Sequence, residues 1–257
     1  MFGSVQPQPL NNQPDGTILL DDIENAIKPD DAHFARSRLL CLENTMGGKL
    51  LPMDYILKAT RLARGRGLMT HLDGARLFNA AVAQAELLGT DARTEARRIA
   101  QCFDSVSVCF SKGLGTPVGS ALCGSKDFIA RAHRIRKMAG GGMRQAGMIA
   151  GAALHALDHH VDRLAKDHAL AKRLAEGLSH VLALRLVAPP QTNMVFLDPV
   201  GPARQRVAAL VDHMAAHGVR VLGSHPLRFV THLNVDEQGI DRTVALIREF
   251  FSLEPQA

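Results

Sequence analysis

Apolar residues along this chain alternate between two spacings. RLLCLEN (Arg38 to Asn44), Leu68 to Leu72 and SVSVCF (Ser105 to Phe110) are compact or alternating apolar runs of strand length. Between them, Met53 to Arg64 sets Tyr55, Ile56, Ala59, Leu62 and Ala63 at helical spacing. A further helix is expected after Arg76 to about Ala85, and another over Ala92 to Cys102. Thr17 to Ile27 reads as a short strand and a short helix that Pro29 stops, and Gly119 to Gly124 reads as a returning strand. Strand, helix, strand at these intervals predicts crossover units and a largely parallel sheet.

Past Gly140-Gly141-Gly142 the pattern changes. Met143 to Val181 is Ala/Leu-rich and helical, with a break expected near His159. Shorter elements follow: strands at Leu184 to Val187, Asn193 to Leu197, Val219 to Leu222 and Arg228 to Leu233, and helices at Ala203 to His217 and Ile240 to Leu253. The expected organisation is therefore α/β, with a large domain over 1–145 and a linking helix plus a smaller α+β domain over 146–257.

Composition narrows the classes of function. With no Trp and one Tyr, the core rests on aliphatic side chains. A net charge of +5 is too modest to demand a nucleic-acid partner, and the basic run Arg131, His133, Arg134, Arg136, Lys137 has no stacking aromatics beside it. It reads as a solvated helix face or a small-anion site rather than a nucleic-acid surface. Cys41, Cys102, Cys109 and Cys123 show no CxxC pairing, so neither a zinc site nor a disulfide framework is expected. Neither a membrane-length apolar run nor a basic-then-apolar leader occurs. The expectation is a cytoplasmic chain with a small-molecule substrate and no membrane partner.

Two strand ends carry the candidate chemistry. In HLDGAR, Asp73 stands where an apolar strand stops. In SVSVCFSKGLGTP, Lys112 ends another strand and opens a glycine-rich loop. The carboxyl ends of parallel strands line the ligand crevice of such sheets, so both ionisable groups point to one place. By themselves these residues fit a buried ion pair equally well. Gly113, Gly115 and Gly119 miss the dinucleotide spacing, and no phosphate-binding GxxxxGK[ST] is present.

The segments LCLENT, HLDGARLFNAAVA, DSVSVCFSKGLGTPVGS and RKMAGGGMRQAG, followed by QTNMVF and RFVTHLNV, resemble successive motifs of the low-specificity threonine aldolases. These are fold-type-I pyridoxal 5′-phosphate (PLP) enzymes of the β-eliminating-lyase group. The resemblance runs from about Arg38 through the small domain. It implies that Lys112 holds the cofactor as a Schiff base and that Asp73 faces the pyridine nitrogen. Arg76 is implied near the cofactor hydroxyl and the substrate carboxylate, Arg228 as a bidentate grip on that carboxylate, and Arg144 near a phosphate. The implied reaction is retro-aldol cleavage of threonine or allo-threonine to glycine and an aldehyde, in a dimeric or tetrameric homo-oligomer.

The pattern departs from the family in two places. Nothing in 1–39 resembles the family's Ser-Gly-Thr phosphate loop or its ring-stacking His, and Met46 follows Glu43-Asn44-Thr45 where the family carries His. The resemblance thus implies a chain without the family's usual N-terminal portion. Catalytic impairment, or another fold-type-I reaction such as racemisation or β-elimination, stays open at this point.

Overall fold

The computed structural model describes residues 3–252, which divide into two compact units between Asp162 and Arg163. In the first, helix α1 (Leu20–Ala26) precedes strand β1 (Leu39–Glu43), helix α2 (Met53–Gly65), strand β2 (Met69–Gly74), helices α3 (Leu77–Leu88) and α4 (Ala92–Ala100), and strand β3 (Ser105–Cys109). Strand β4 (Ser120–Gly124) and helices α5 (Lys126–Met138) and α6 (Gly147–His159) complete it. The sheet order is β1-β2-β3-β4. The first three strands run parallel and β4 returns antiparallel to β3, as expected of a crossover sheet closed by a short loop.

Alternation along the strands divides the sheet into two unlike faces. Leu40, Leu42, Leu72, Val106 and Val108 point inward and join one core with Ile56, Ala59 and Ala63 of α2 and Ala80 and Ala81 of α3. Each such Leu, Ile or Val side chain contributes about 1.5–3 kcal/mol, against about 1 kcal/mol net for a ladder hydrogen bond. The inner face therefore sets the register. That register puts Cys41, Glu43, His71, Asp73 and Ser107 on the opposite face.

Several expected boundaries move. Thr17 and Ile18 form no strand; the Ile18 N–H donates instead to the Tyr55 hydroxyl at 2.9 Å. The expected long helix begins only at Gly147. The division between units falls after α6, beyond the expected 145/146 boundary. α6 is tied to the first unit by Arg93, whose Nη2 donates to the Leu157 carbonyl at 2.9 Å, and by buried Ala153 and Ala156. The basic stretch lies on α5, where Arg131, His133, Arg134, Arg136 and Lys137 are all exposed.

The second unit contains helix α7 (Leu164–Leu178), strands β5 (Leu184–Leu186) and β6 (Met194–Pro199), a 3₁₀ turn (Gly201–Arg206), helix α8 (Val207–Ala216), strand β7 (Leu227–Val230) and helix α9 (Glu237–Ser252). β5-β6-β7 form an antiparallel sheet over a core of Leu174, Leu178, Val195, Leu197, Leu210, Met214, Leu227 and Ile247. Val219 to Leu222 is not a strand; Leu222 makes one isolated bridge to Arg228. The expected Leu253 end of the last helix lies outside the described residues.

Candidate active site

Asp73 is held at the end of β2 by the backbone around it. Its Oδ1 accepts the Ala75 N–H at 3.0 Å, and its carbonyl accepts the Asn44 N–H at 3.1 Å. The strand continues through Gly74, two residues beyond its expected end. A Cβ at Gly74 would sit 2.7 Å from the Ser107 carbonyl oxygen, so glycine lets β2 lie close to β3 at this point. The chain then turns at once into α3, with half-buried Arg76 as its N-cap residue. HLDGAR thus places a carboxylate and a guanidinium three residues apart at the carboxyl end of β2.

Lys112 stands on the turn that links β3 to β4. The Thr116 N–H donates to the Phe110 carbonyl at 3.1 Å, the Gly115 N–H to the Lys112 carbonyl at 2.9 Å, and the Phe110 N–H to the Gly119 carbonyl at 3.0 Å. Gly115 and Gly119 take φ of +71° and +125°, which a side chain disfavours. Gly113 and Leu114 are buried under the turn while Lys112 is exposed. A long cationic side chain is thereby presented from a self-bonded loop.

Electrostatics bring the two motifs together on a third residue. Glu43 and Asp73 are register partners across the β1–β2 ladder, and Asp73 is in turn the partner of Ser107 on β3. Burial pushes the Glu43 carboxyl above the ordinary glutamate range, and the Asp73 charge adds to that. Arg76 and Lys112 pull it back, so both cations lie within electrostatic reach of one carboxyl. Asp73 is also felt two residues up the face. The Cys41 thiol is raised by burial and then by Asp73, and His71 is lowered by burial with Asp73 opposing. Asp73, Arg76 and Lys112 thus all act electrostatically on Glu43. The motif containing Glu43 was legible in the sequence, but no role for it was, because its neighbours are set by strand register.

The remaining expected residues stand on other elements. Arg144 is exposed between α5 and α6, three residues ahead of the first residue of α6, and therefore not within that helix's first turn as expected. Arg228 is the exposed second residue of β7 in the other unit, paired in register with Phe196. Met46 forms an isolated bridge with Lys49, and its side chain approaches Gly16, where an added Cβ would lie 3.1 Å from it. Among the described residues no group of three or more His, Cys, Asp or Glu is arranged to hold a metal ion.

The first unit holds a mainly parallel sheet with ionisable groups near its strand ends and the second a small antiparallel sheet, an α/β architecture that is matched by fold-type-I structures. A threonine aldolase structure from Leishmania major matches 93% of this chain and 69% of its own at a TM-score of 0.75 and 21% identity. A structure of serine palmitoyltransferase from Sphingomonas wittichii matches 92% of this chain and 60% of its own at a TM-score of 0.64 and 18% identity. The sequence then narrows the class. Residues 1–200 match the β-eliminating lyase family model. The low-specificity L-threonine aldolase of Escherichia coli is 45% identical over 252 residues, covering 98% of this chain and 72% of that protein. An Arabidopsis thaliana low-specificity L-threonine aldolase is 39% identical, covering 96% and 69%. The chain belongs to the β-eliminating lyase family. The match reaches into the first residues, well ahead of Arg38, where the motifs first become legible.

Proposed function

We propose that this chain is a PLP-dependent aldol lyase that cleaves threonine-type β-hydroxy-α-amino acids to glycine and an aldehyde. The observation that carries the reading is that Glu43 pairs in register with Asp73 and lies within electrostatic reach of Arg76 and Lys112. An amine, a carboxylate and a guanidinium near the strand ends suit a cofactor that offers an aldehyde, a basic ring nitrogen and a phenolic oxygen. Sequence kinship with threonine aldolases supports the substrate class.

In this reading Lys112 supplies the amine that bonds the cofactor aldehyde, and its exposure on the turn leaves it open to exchange with a substrate amine. Asp73 keeps the ring nitrogen protonated, with its carboxylate oriented by the Ala75 N–H. Arg76 lies near the phenolic oxygen and the substrate carboxylate, Arg228 grips that carboxylate, and Arg144 meets a phosphate. When bound, PLP supplies the electron sink that takes up the pair released as the Cα–Cβ bond breaks.

A homo-oligomer belongs to the same proposal, supported by exposed apolar side chains at Met138, Met143, Met148 and Leu154. A cytoplasmic setting is supported by four free cysteines. No helix among the described residues is long and apolar enough to cross a membrane.

Product analysis tests the reaction. Purified chain incubated with PLP and L-threonine or L-allo-threonine should release glycine and acetaldehyde in equal amounts. Keto acid with ammonia, or an inverted amino acid, would overturn the aldol assignment.

A further inference from the structure

We infer that His160 is a positioning residue for Lys112, acting through the Leu114 carbonyl. The inference rests on the reading of Lys112 as the cofactor-holding amine. Leu114 is 2% exposed and lies two residues beyond Lys112. Its carbonyl oxygen is 2.7 Å from Nδ1 of His160. A carbonyl only accepts, so Nδ1 carries the proton and donates it to this bond.

The geometry gives that bond a mechanical role. The other hydrogen bonds of the turn close it upon itself or onto the start of β4: Gly115 to Lys112, Thr116 to Phe110, Phe110 to Gly119. The His160 bond instead ties the turn to a neighbouring helix. Gly113 and Gly115 flank Leu114, so the backbone on either side is the most permissive available and an external tie decides where it rests.

His160 is itself well placed to serve as an anchor. It is the C-cap residue of α6, its backbone N–H donates to the Ala156 carbonyl at 2.8 Å, and its ring meets the edge of His155 at a centroid distance of 5.2 Å. α6 in turn is fastened by Arg93 of α4 through the Leu157 carbonyl. Without the donor, the Leu114 carbonyl is left buried and unpaired. The turn then opens more often and Lys112 loses its fixed bearing on Asp73.

Hydrogen exchange on the cofactor-free chain tests this together with PLP binding. In His160→Leu, the amides of Gly113 to Thr116 should exchange about tenfold faster, as expected for losing one buried hydrogen bond. Those of Leu40 and Leu42 should be unchanged, and the affinity for PLP should fall. His160→Asn, whose side-chain nitrogen replaces Nδ1 as donor, should restore both readouts to within about twofold of the parent chain. If His160→Leu does not fold, His160→Gln replaces it, because its nitrogen takes the Nε2 position instead. Faster turn exchange in His160→Gln but not in His160→Asn supports the inference. Leu or Gln variants that match the parent chain, or an Asn variant as impaired as they are, would overturn it. PLP uptake by the parent chain that survives Lys112→Ala would sink the cofactor assignment instead, and the exchange data would still report on the tie.

Discussion

Glu43 and Asp73 are register partners at the carboxyl ends of two parallel strands, so the fold holds two carboxyl groups side by side on one sheet face. Burial first, and the neighbouring Asp73 charge second, disfavour the ionised Glu43, which bears that cost as a raised carboxyl pKa. A folded-state value above the unfolded one means the folded chain binds more protons between the two, so stability is lost as pH rises through the folded value. Glu43→Gln should therefore raise the urea midpoint at pH 8 and leave it nearly unchanged below the ordinary glutamate range. An equal gain at both pH values would contradict the electrostatic account. Stability gained by removing a site residue is the usual trade between function and folding.

Gly74 determines how closely β2 approaches β3 beside Asp73. An added methyl would meet the Ser107 carbonyl oxygen at 2.7 Å, the Val106 side chain at 3.1 Å and Leu77 at 3.2 Å. Backbone cannot yield as a flexible side chain does, so Gly74→Ala should cost about 1–3 kcal/mol. Chemical denaturation checks this, and an unchanged midpoint would show that the strands move apart freely.

Much of this architecture was legible in local pattern. The compact apolar run over Leu39–Glu43, the alternation in Ser105–Cys109 and the helical spacing of Tyr55, Ile56, Ala59 and Ala63 report burial directly, and the structure has those elements with few changes. The misplaced elements share a cause, which is that tertiary neighbours outweighed local signals. The apolar run stops at Leu72, yet the ladder to Ser107 and Val108 extends β2 through Asp73 and Gly74. Val219 to Leu222 reads as a strand but gains only one bridge, because Leu227–Val230 takes the place beside β6. Of the residues proposed for the site, Asp73 and Lys112 stand out in the sequence by ending apolar runs. Glu43 and His160 do not, since one acts through strand register and the other through a contact 46 positions away in sequence.

The second unit should be acid-sensitive for a separate reason. His168 is 1% exposed, and burial, followed by the charge of Lys172, lowers its pKa to about 4. Between the unfolded value of 6.5 and about 4, the unfolded chain binds the extra proton, so stability falls as pH drops across that window. The full loss is about 3 kcal/mol. Buried Asp167, whose carboxyl is raised first by desolvation, works in the opposite direction near its own range and softens the acid end. Urea midpoints of the parent chain should decline from pH 7 to pH 4.5, and His168→Met should flatten the slope. An unchanged slope in that variant would place the sensitivity elsewhere.

Asp73→Ala should separate holding the cofactor from using it. Lys112 remains on its self-bonded turn in this variant, so PLP should still attach there. Turnover should fall by roughly 10²–10³-fold, the usual loss when one preorganised charge is removed from an active site. Aldehyde release gives kcat/KM, and absorbance gives cofactor occupancy. Turnover close to that of the parent chain would remove Asp73 from the mechanism.

The central claim is that Lys112 is the amine facing the cofactor. Incubation with PLP, reduction with borohydride and peptide mass spectrometry locate the attachment directly. The account predicts a pyridoxyl group on Lys112 at close to one per chain. A label spread over Lys126, Lys137 and other exposed lysines, with Lys112 unmodified, would contradict it.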